Sequence, residues 1–233
     1  MQVSDSRKLK FLAHSRAEAE QLILSNLNNE EDLLISLDYL NISPDLARSE
    51  EKFLRSLFDH QTTGRVNPPQ TIIHLRAGDI WKSYMNIRRP IHPDYYPLPL
   101  EFYKNAKEYI MGPVEIVAEA GGPDWYLRSV NKIMTPSKLH LNRDLKQDFQ
   151  DFLSCKRLGL SVSTLSWIAS LIGDAEFIHY PKLGILDSAK RGDLLFSPPK
   201  PAYIYEFEDH VWKGGSRSDK EWLIDSTVRV TNP

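Results

Sequence analysis

Thr71-Ile-Ile-His74-Leu-Arg76-Ala-Gly78-Asp79 is an apolar run that ends in a histidine, an arginine, a glycine and an aspartate. The run predicts a buried strand, and the residues after Ile73 predict a strand end at which polar side chains leave the core. In open α/β sheets ligands bind in the crevice beyond the carboxyl ends of the strands, so these side chains are expected to face a crevice. Arg76 is its candidate cation, because a guanidinium offers several donors in a fixed fork. That fork suits a diphosphate which gains charge as a bond to it breaks. Gly78 permits a tight turn, and Asp79 is a candidate to hold Arg76 or a neighbouring amide. A structural Arg–Asp pair at a strand end is the plainer reading of the same residues.

Beyond this stretch, strand-like runs alternate with amphipathic ones. Strands are expected at 71–75, 114–118, 138–141, 158–162 and 176–179. Helices are expected at 100–110, 124–134, 145–156 and 164–172. Repeated βαβ of this kind demands a parallel sheet with right-handed crossovers, so the fold class is α/β, a Rossmann-like parallel sheet flanked by helices. Before it, apolar positions over 9–58 recur at helical spacing, with Ser43-Pro44 as a helix start and a possible short strand at 33–37. The polar segment 60–70, with Gly64, Pro68 and Pro69, breaks that periodicity. Three regions follow: a short, mainly helical part over 1–65, a ligand-binding domain over 66–200, and a C-terminal extension over 201–233 whose Tyr/Trp-rich patches fit no pattern.

The chain has 233 residues, 41% of them hydrophobic, enough for one substantial core. With 29 basic and 31 acidic residues the net charge is −2, which provides no general field for nucleic acid or an anionic membrane. An anion must therefore be met by a local site. The N-terminus lacks an apolar signal region and no run reaches the length of a membrane span, so a cytoplasmic protein is expected. Cys155, the single cysteine, lies in a helical pattern beside Phe152 and Leu153 and reads as an inert core thiol. His74 and His92 lack a third ligand at metal-site spacing, so no zinc is expected.

A second site is suggested by Leu160-Ser-Val-Ser-Thr-Leu-Ser-Trp-Ile-Ala-Ser-Leu-Ile-Gly173, where a short strand turns into an apolar helix. Ser161, Ser163 and Thr164 stand at that turn. Unbonded amides at a helix start, the helix dipole and small hydroxyls together make an anion cradle, although the same residues serve equally as an ordinary N-cap. Two strand–turn units in one parallel sheet can grip a single diphosphate from opposite sides, one through Arg76 and the other through hydroxyls and amides.

The motifs His74-x-Arg76-x-Gly78-Asp79, His92-Pro-Asp-Tyr-Tyr-Pro-Leu-Pro-Leu-Glu-Phe-Tyr103 and Ser163-Thr-Leu-Ser-Trp167, with the intervening Asp148-Phe-Gln-Asp-Phe-Leu-Ser-Cys-Lys156, together resemble the α1,2-, α1,6- and protein O-fucosyltransferase superfamily. The resemblance spans 71–181, roughly half the chain. It implies a GT-B-type donor domain that uses GDP-fucose as donor substrate, needs no cofactor or metal, and transfers fucose with inversion to a glycan hydroxyl. It further implies that Arg76 contacts the β-phosphate and stabilises it as it leaves. His74 would line the donor pocket, Ser163 and Thr164 would bind the diphosphate, and Gly78 and Asp79 would shape the loop. Charge gathers on the departing phosphate, so a preorganised guanidinium and helix-terminal amides suit that chemistry.

The chain departs from the family pattern at three points. Where many relatives carry a second arginine, it has Ala77, leaving Arg88 or Arg89 as substitutes. Where relatives often place an aspartate for the guanine, it has Glu119-Ala-Gly-Gly-Pro-Asp124, so either Glu119 or Asp124 is a candidate acceptor for the guanine edge. About 65 residues precede the donor region, which implies a reduced acceptor side and a possible homo-oligomer. No general base stands out among Asp79, Asp94 and Glu119, because proximity to the acceptor hydroxyl is not written in the sequence. Trp81, Tyr84, Tyr95 and Tyr96 are candidates to stack on sugar faces or to pack a loop. A non-catalytic sugar-nucleotide-binding or partner-binding protein is the competing reading from another class.

Overall fold

The structure, a computed structural model, describes residues 48, 51, 52, 55, 68–76, 78, 80–81, 94–119, 121–189 and 197–233. The helical pattern over 9–58 is represented there by residues 48, 51, 52 and 55, all helical. The short strand at 33–37, the helix start at Ser43-Pro44, Ala77, Asp79, Tyr84, Arg88, Arg89 and His92 lie outside the described residues.

The alternation read from the sequence becomes β1 (Thr71–Leu75), α1 (Leu100–Tyr109), β2 (Val114–Ala118), α2 (Asp124–Met134), β3 (Lys138–Leu141), α3 (Leu145–Ser154), β4 (Arg157–Gly159), α4 (Thr164–Ile172) and β5 (Phe177–Lys182). Two boundaries differ from expectation. The fourth strand is Arg157–Gly159 instead of 158–162, because after Leu160, whose amide still donates to the His179 carbonyl at 3.0 Å, the chain turns into α4. The fifth runs on to Lys182 through Pro181, which sits beside β6, where a ladder normally excludes proline. The segment expected as an extension supplies β6 (Ala202–Phe207), α5 (Arg217–Asp225) and β7 (Val228–Thr231) to the same sheet.

The seven strands lie in the order β3-β2-β1-β4-β5-β6-β7, parallel except for antiparallel β7. The first six have the 3-2-1-4-5-6 order of a Rossmann-type doubly wound sheet, in which the direction of progression reverses between β1 and β4. Helices α1, α2 and α5 pack together, as do α3 and α4, so helices flank the sheet. Burial on both faces explains why β1 reads as a continuous apolar run: Ile72, Ile73 and Leu75 are all fully buried. Each such side chain contributes on the order of 1.5–3 kcal/mol on leaving water. At the centre, the Ile73 side chain of β1 fills the space over Gly159 of β4. A Cβ there would overlap the Ile73 side chain.

Cys155 is buried, its thiol pushed up to about 12 chiefly by burial, which fits an inert core group. No helix among the described residues is long and apolar enough to cross a membrane.

Candidate functional site at the switch point

β1 and β4 are neighbours, so the two stretches singled out in the sequence meet at their carboxyl ends. His74 Nδ1 and the Ser161 hydroxyl are 2.8 Å apart, and the imidazole lies against Phe152 of α3, with ring centroids 4.9 Å apart. Two residues further on, the Arg76 guanidinium donates to the Val162 carbonyl at 3.3 Å and lies 4.2 Å from the centre of the Tyr95 ring. Cation–π stacking holds a guanidinium plane in one orientation while its remaining donors stay directed along the edge. Gly78 is buried because the Glu119 carboxyl, from the end of β2, occupies the space that a Cβ would need.

The turn from β4 into α4 is built by its serines. Ser163 is extended and accepts the Leu165 amide at 3.2 Å, an N-cap. Ser161 and Ser163 are both buried, and both hydroxyls are engaged within the fold. Half-buried Thr164 is the first residue of α4, and among the described residues no group accepts from its amide. A first-turn amide of this kind, with the dipole behind it, favours an anion.

Of the two candidates for a guanine edge, the structure brings Glu119 beside the 76–78 turn. Asp124 instead faces solvent at the start of α2, where it pairs with Arg128 at 2.9 Å. The proposed aromatic platform divides likewise. Trp81 is buried against Trp125, Tyr126 and Trp212, and buried Tyr96 donates to the His210 carbonyl at 3.0 Å, so both are packing residues. Tyr95 is the half-buried member and carries Arg76.

Residues 94–98 form a strap across this edge. The Asp94 carbonyl accepts the Ile185 amide at 3.0 Å beyond β5, and the Leu98 carbonyl accepts the Tyr126 hydroxyl at 2.5 Å. Gly184, at φ +57°, is required there: a Cβ would strike the Asp94 carbonyl oxygen.

The last 33 residues contribute buried polar groups that lie outside the motifs above. Asp219, fully buried, accepts from His210 Nε2 at 2.6 Å and from the amides of Gly215 and Ser216 at 2.8 and 2.9 Å. Burial acts to raise its carboxyl pKa, but these hydrogen bonds outweigh it and hold it below the ordinary value. Ser216-Arg-Ser-Asp219 is a capping box, a pattern that marks a helix start in the sequence itself.

No protein-family model matches the chain, and no curated protein matches it.

Proposed function

We propose that this chain binds a nucleotide sugar at the switch point and acts as a glycosyltransferase, moving fucose from GDP-fucose to a glycan hydroxyl with inversion and without a metal. The observation that carries the reading is that the Arg76 guanidinium bonds the carbonyl of Val162, two residues before α4, at the carboxyl ends of the neighbouring strands β1 and β4. Such an arrangement surrounds a diphosphate with positive charge from two sides, and charge placed before the bond breaks lowers the barrier to departure of GDP. Glu119 supplies hydrogen-bond acceptors on the β2 side, where a guanine edge would lie. The motif resemblance supplies the donor sugar and the GT-B-type assignment.

A non-catalytic sugar-nucleotide-binding protein is the second reading. It is favoured by the contacts of Arg76 within the fold, to the Val162 carbonyl and the Tyr95 ring, which serve binding and packing as well as catalysis.

Titration with GDP, UDP, GDP-fucose and GDP-mannose, with and without EDTA, tests both. The expected result is binding of the guanosine nucleotides, unchanged by the chelator, with transfer to a glycan panel separating enzyme from binder. Affinity lost in EDTA and restored by magnesium or manganese would overturn the metal-independent mechanism. Absence of any nucleotide affinity would overturn both readings.

A further inference from the structure

β5 and β6 end side by side and β7 begins next to them, so three segments open onto one cavity at the carboxyl edge of the sheet. Its volume is about 350 Å³, within the ~300–1,000 Å³ range of small-molecule sites. Six of its seven lining residues are polar or charged, although their aliphatic stems and Phe207 give it apolar surface as well. Lys182 Nζ donates to one oxygen of Glu206 at 2.7 Å, and Arg229 Nε donates to the other at 2.8 Å. The Thr227 hydroxyl donates to Glu208 at 2.7 Å, and the Asp187 carboxylate accepts the Ala189 amide at 3.2 Å. Phe207 adds one apolar face.

This lining selects a ligand class. Three carboxylates against two cations disfavour an anion, and no group of three His, Cys, Asp or Glu among the described residues is placed to hold a metal ion. Lys182 and then Arg229, by hydrogen bonding, hold the Glu206 carboxyl below its ordinary pKa, so it stays an ionised acceptor. A carboxylate has about four lone-pair directions, and Glu206 already accepts one N–H from Lys182 and two from Arg229, so about one acceptor direction remains there, beside those of Glu208 and Asp187. Donors and acceptors fixed side by side, with an aromatic face, suit a molecule whose hydroxyls both donate and accept.

Position adds a second constraint. β5 and β6 lie on the opposite side of the switch point from Glu119. A nucleotide with its base toward β2 therefore directs its sugar toward the β5–β6 side of the sheet, on which this cavity lies. We propose that the cavity at the ends of β5 and β6 binds a neutral polyhydroxylated ligand, a glycan, and is the acceptor subsite. The acceptor role rests on the nucleotide-sugar reading above; the ligand class does not.

The test is amide NMR on the full chain, titrated with galactose, N-acetylglucosamine, mannose, glucose and inorganic phosphate, with a parallel GDP titration. At least one neutral sugar is expected to shift the signals of Phe207, Glu208 and Thr227 saturably. Glu206→Gln and Thr227→Val should each weaken that binding by about tenfold, the size of a lost hydrogen bond to a charged group, and leave GDP affinity unchanged. If no neutral sugar moves those signals in the unmodified protein, or phosphate alone does, the proposal is overturned. So it is if affinity survives both substitutions. Sugar binding here without GDP binding supports the glycan site and overturns the nucleotide reading, whereas GDP binding without sugar binding overturns the glycan site alone.

Discussion

In the role proposed for it, Arg76 would serve an anion by its shape as much as by its charge. A lysine at this position cannot both lie over Tyr95 and present a fork, so Arg76→Lys should be nearly as damaging as Arg76→Ala. Loss of a transition-state charge contact costs on the order of 3 kcal/mol, about a hundredfold in transfer rate. The melting temperature should fall only modestly, because the hydrogen bond from the guanidinium to the Val162 carbonyl is a long one, at 3.3 Å, and the stacking on Tyr95 involves two half-buried side chains. Assaying transfer per folded molecule beside thermal melting checks this, and a large melting shift with intact transfer would assign Arg76 to the fold instead. His179 is the opposite case. It is fully buried, paired through Nδ1 with the Tyr205 hydroxyl at 2.7 Å, and its Nε2 has no partner among the described residues. Burial, with Arg157 nearby, lowers its pKa to about 3. The folded-state value is thus below the unfolded one, so the unfolded chain takes up the proton first. Stability from this group is present above pH ~6.5 and is lost progressively as pH falls toward ~3. Between pH 6.5 and 4.5 the loss should be about 2–3 kcal/mol, measured by urea unfolding. In His179→Phe the absolute stability changes through Tyr205 as well, so the diagnostic quantity is the pH slope, which should flatten.

At the scale of elements, α4 separates a capping role from a binding role. Ser163→Ala removes the N-cap and should cost about 1 kcal/mol of stability while changing GDP affinity little. Thr164→Pro does the reverse. Proline fits the first position of a helix, and the extended Ser163 tolerates a following proline, so α4 should persist. The substitution removes an N–H that points out of the helix start, and GDP affinity should fall about tenfold, in line with a lost charge-assisted hydrogen bond. Calorimetric titration of both variants decides between them. Unaltered affinity in Thr164→Pro would mean the α4 start is a cap and nothing more. The β1–β4 contact makes a third case: Gly159→Ala places a methyl group in the Ile73 side chain and should destabilise by about 1–3 kcal/mol through overpacking.

For the whole molecule, the last 33 residues complete the sheet. β6 pairs with β5 over Ile178 to Lys182 and covers it, with Tyr205 fully buried against Phe102 of α1. Truncation after residue 200 would leave β5 as an apolar edge and strip the cover from His179 and Tyr180, so the shortened chain should aggregate and lose cooperative unfolding. Circular dichroism melting and size-exclusion chromatography would show this. A truncated chain that stays monomeric and melts cooperatively would instead make 201–233 a dispensable appendage.

How much of this is legible in the chain depends on the range of the interactions involved. Strands such as 71–75 and 114–118 could be read because burial on both faces writes itself as an apolar run, α2 because one face is apolar at helical period, and α4 as a longer apolar run behind a serine cap, buried over 166–172. The alternation then dictated a parallel sheet, and with it a crevice beyond the strand ends. β6, α5 and β7 were missed because β7 is the edge strand and β6 beside it is only partly buried, with mixed Tyr, Glu and Arg in place of a clean period, although the capping box at Ser216 was readable. Only tertiary structure decided that Ser161 serves His74, that Ser163 serves α4, and that Glu119 and not Asp124 stands beside Gly78. A residue type declares what it can bond, but its partner is chosen by strand order, and strand order follows from contacts between segments far apart along the chain.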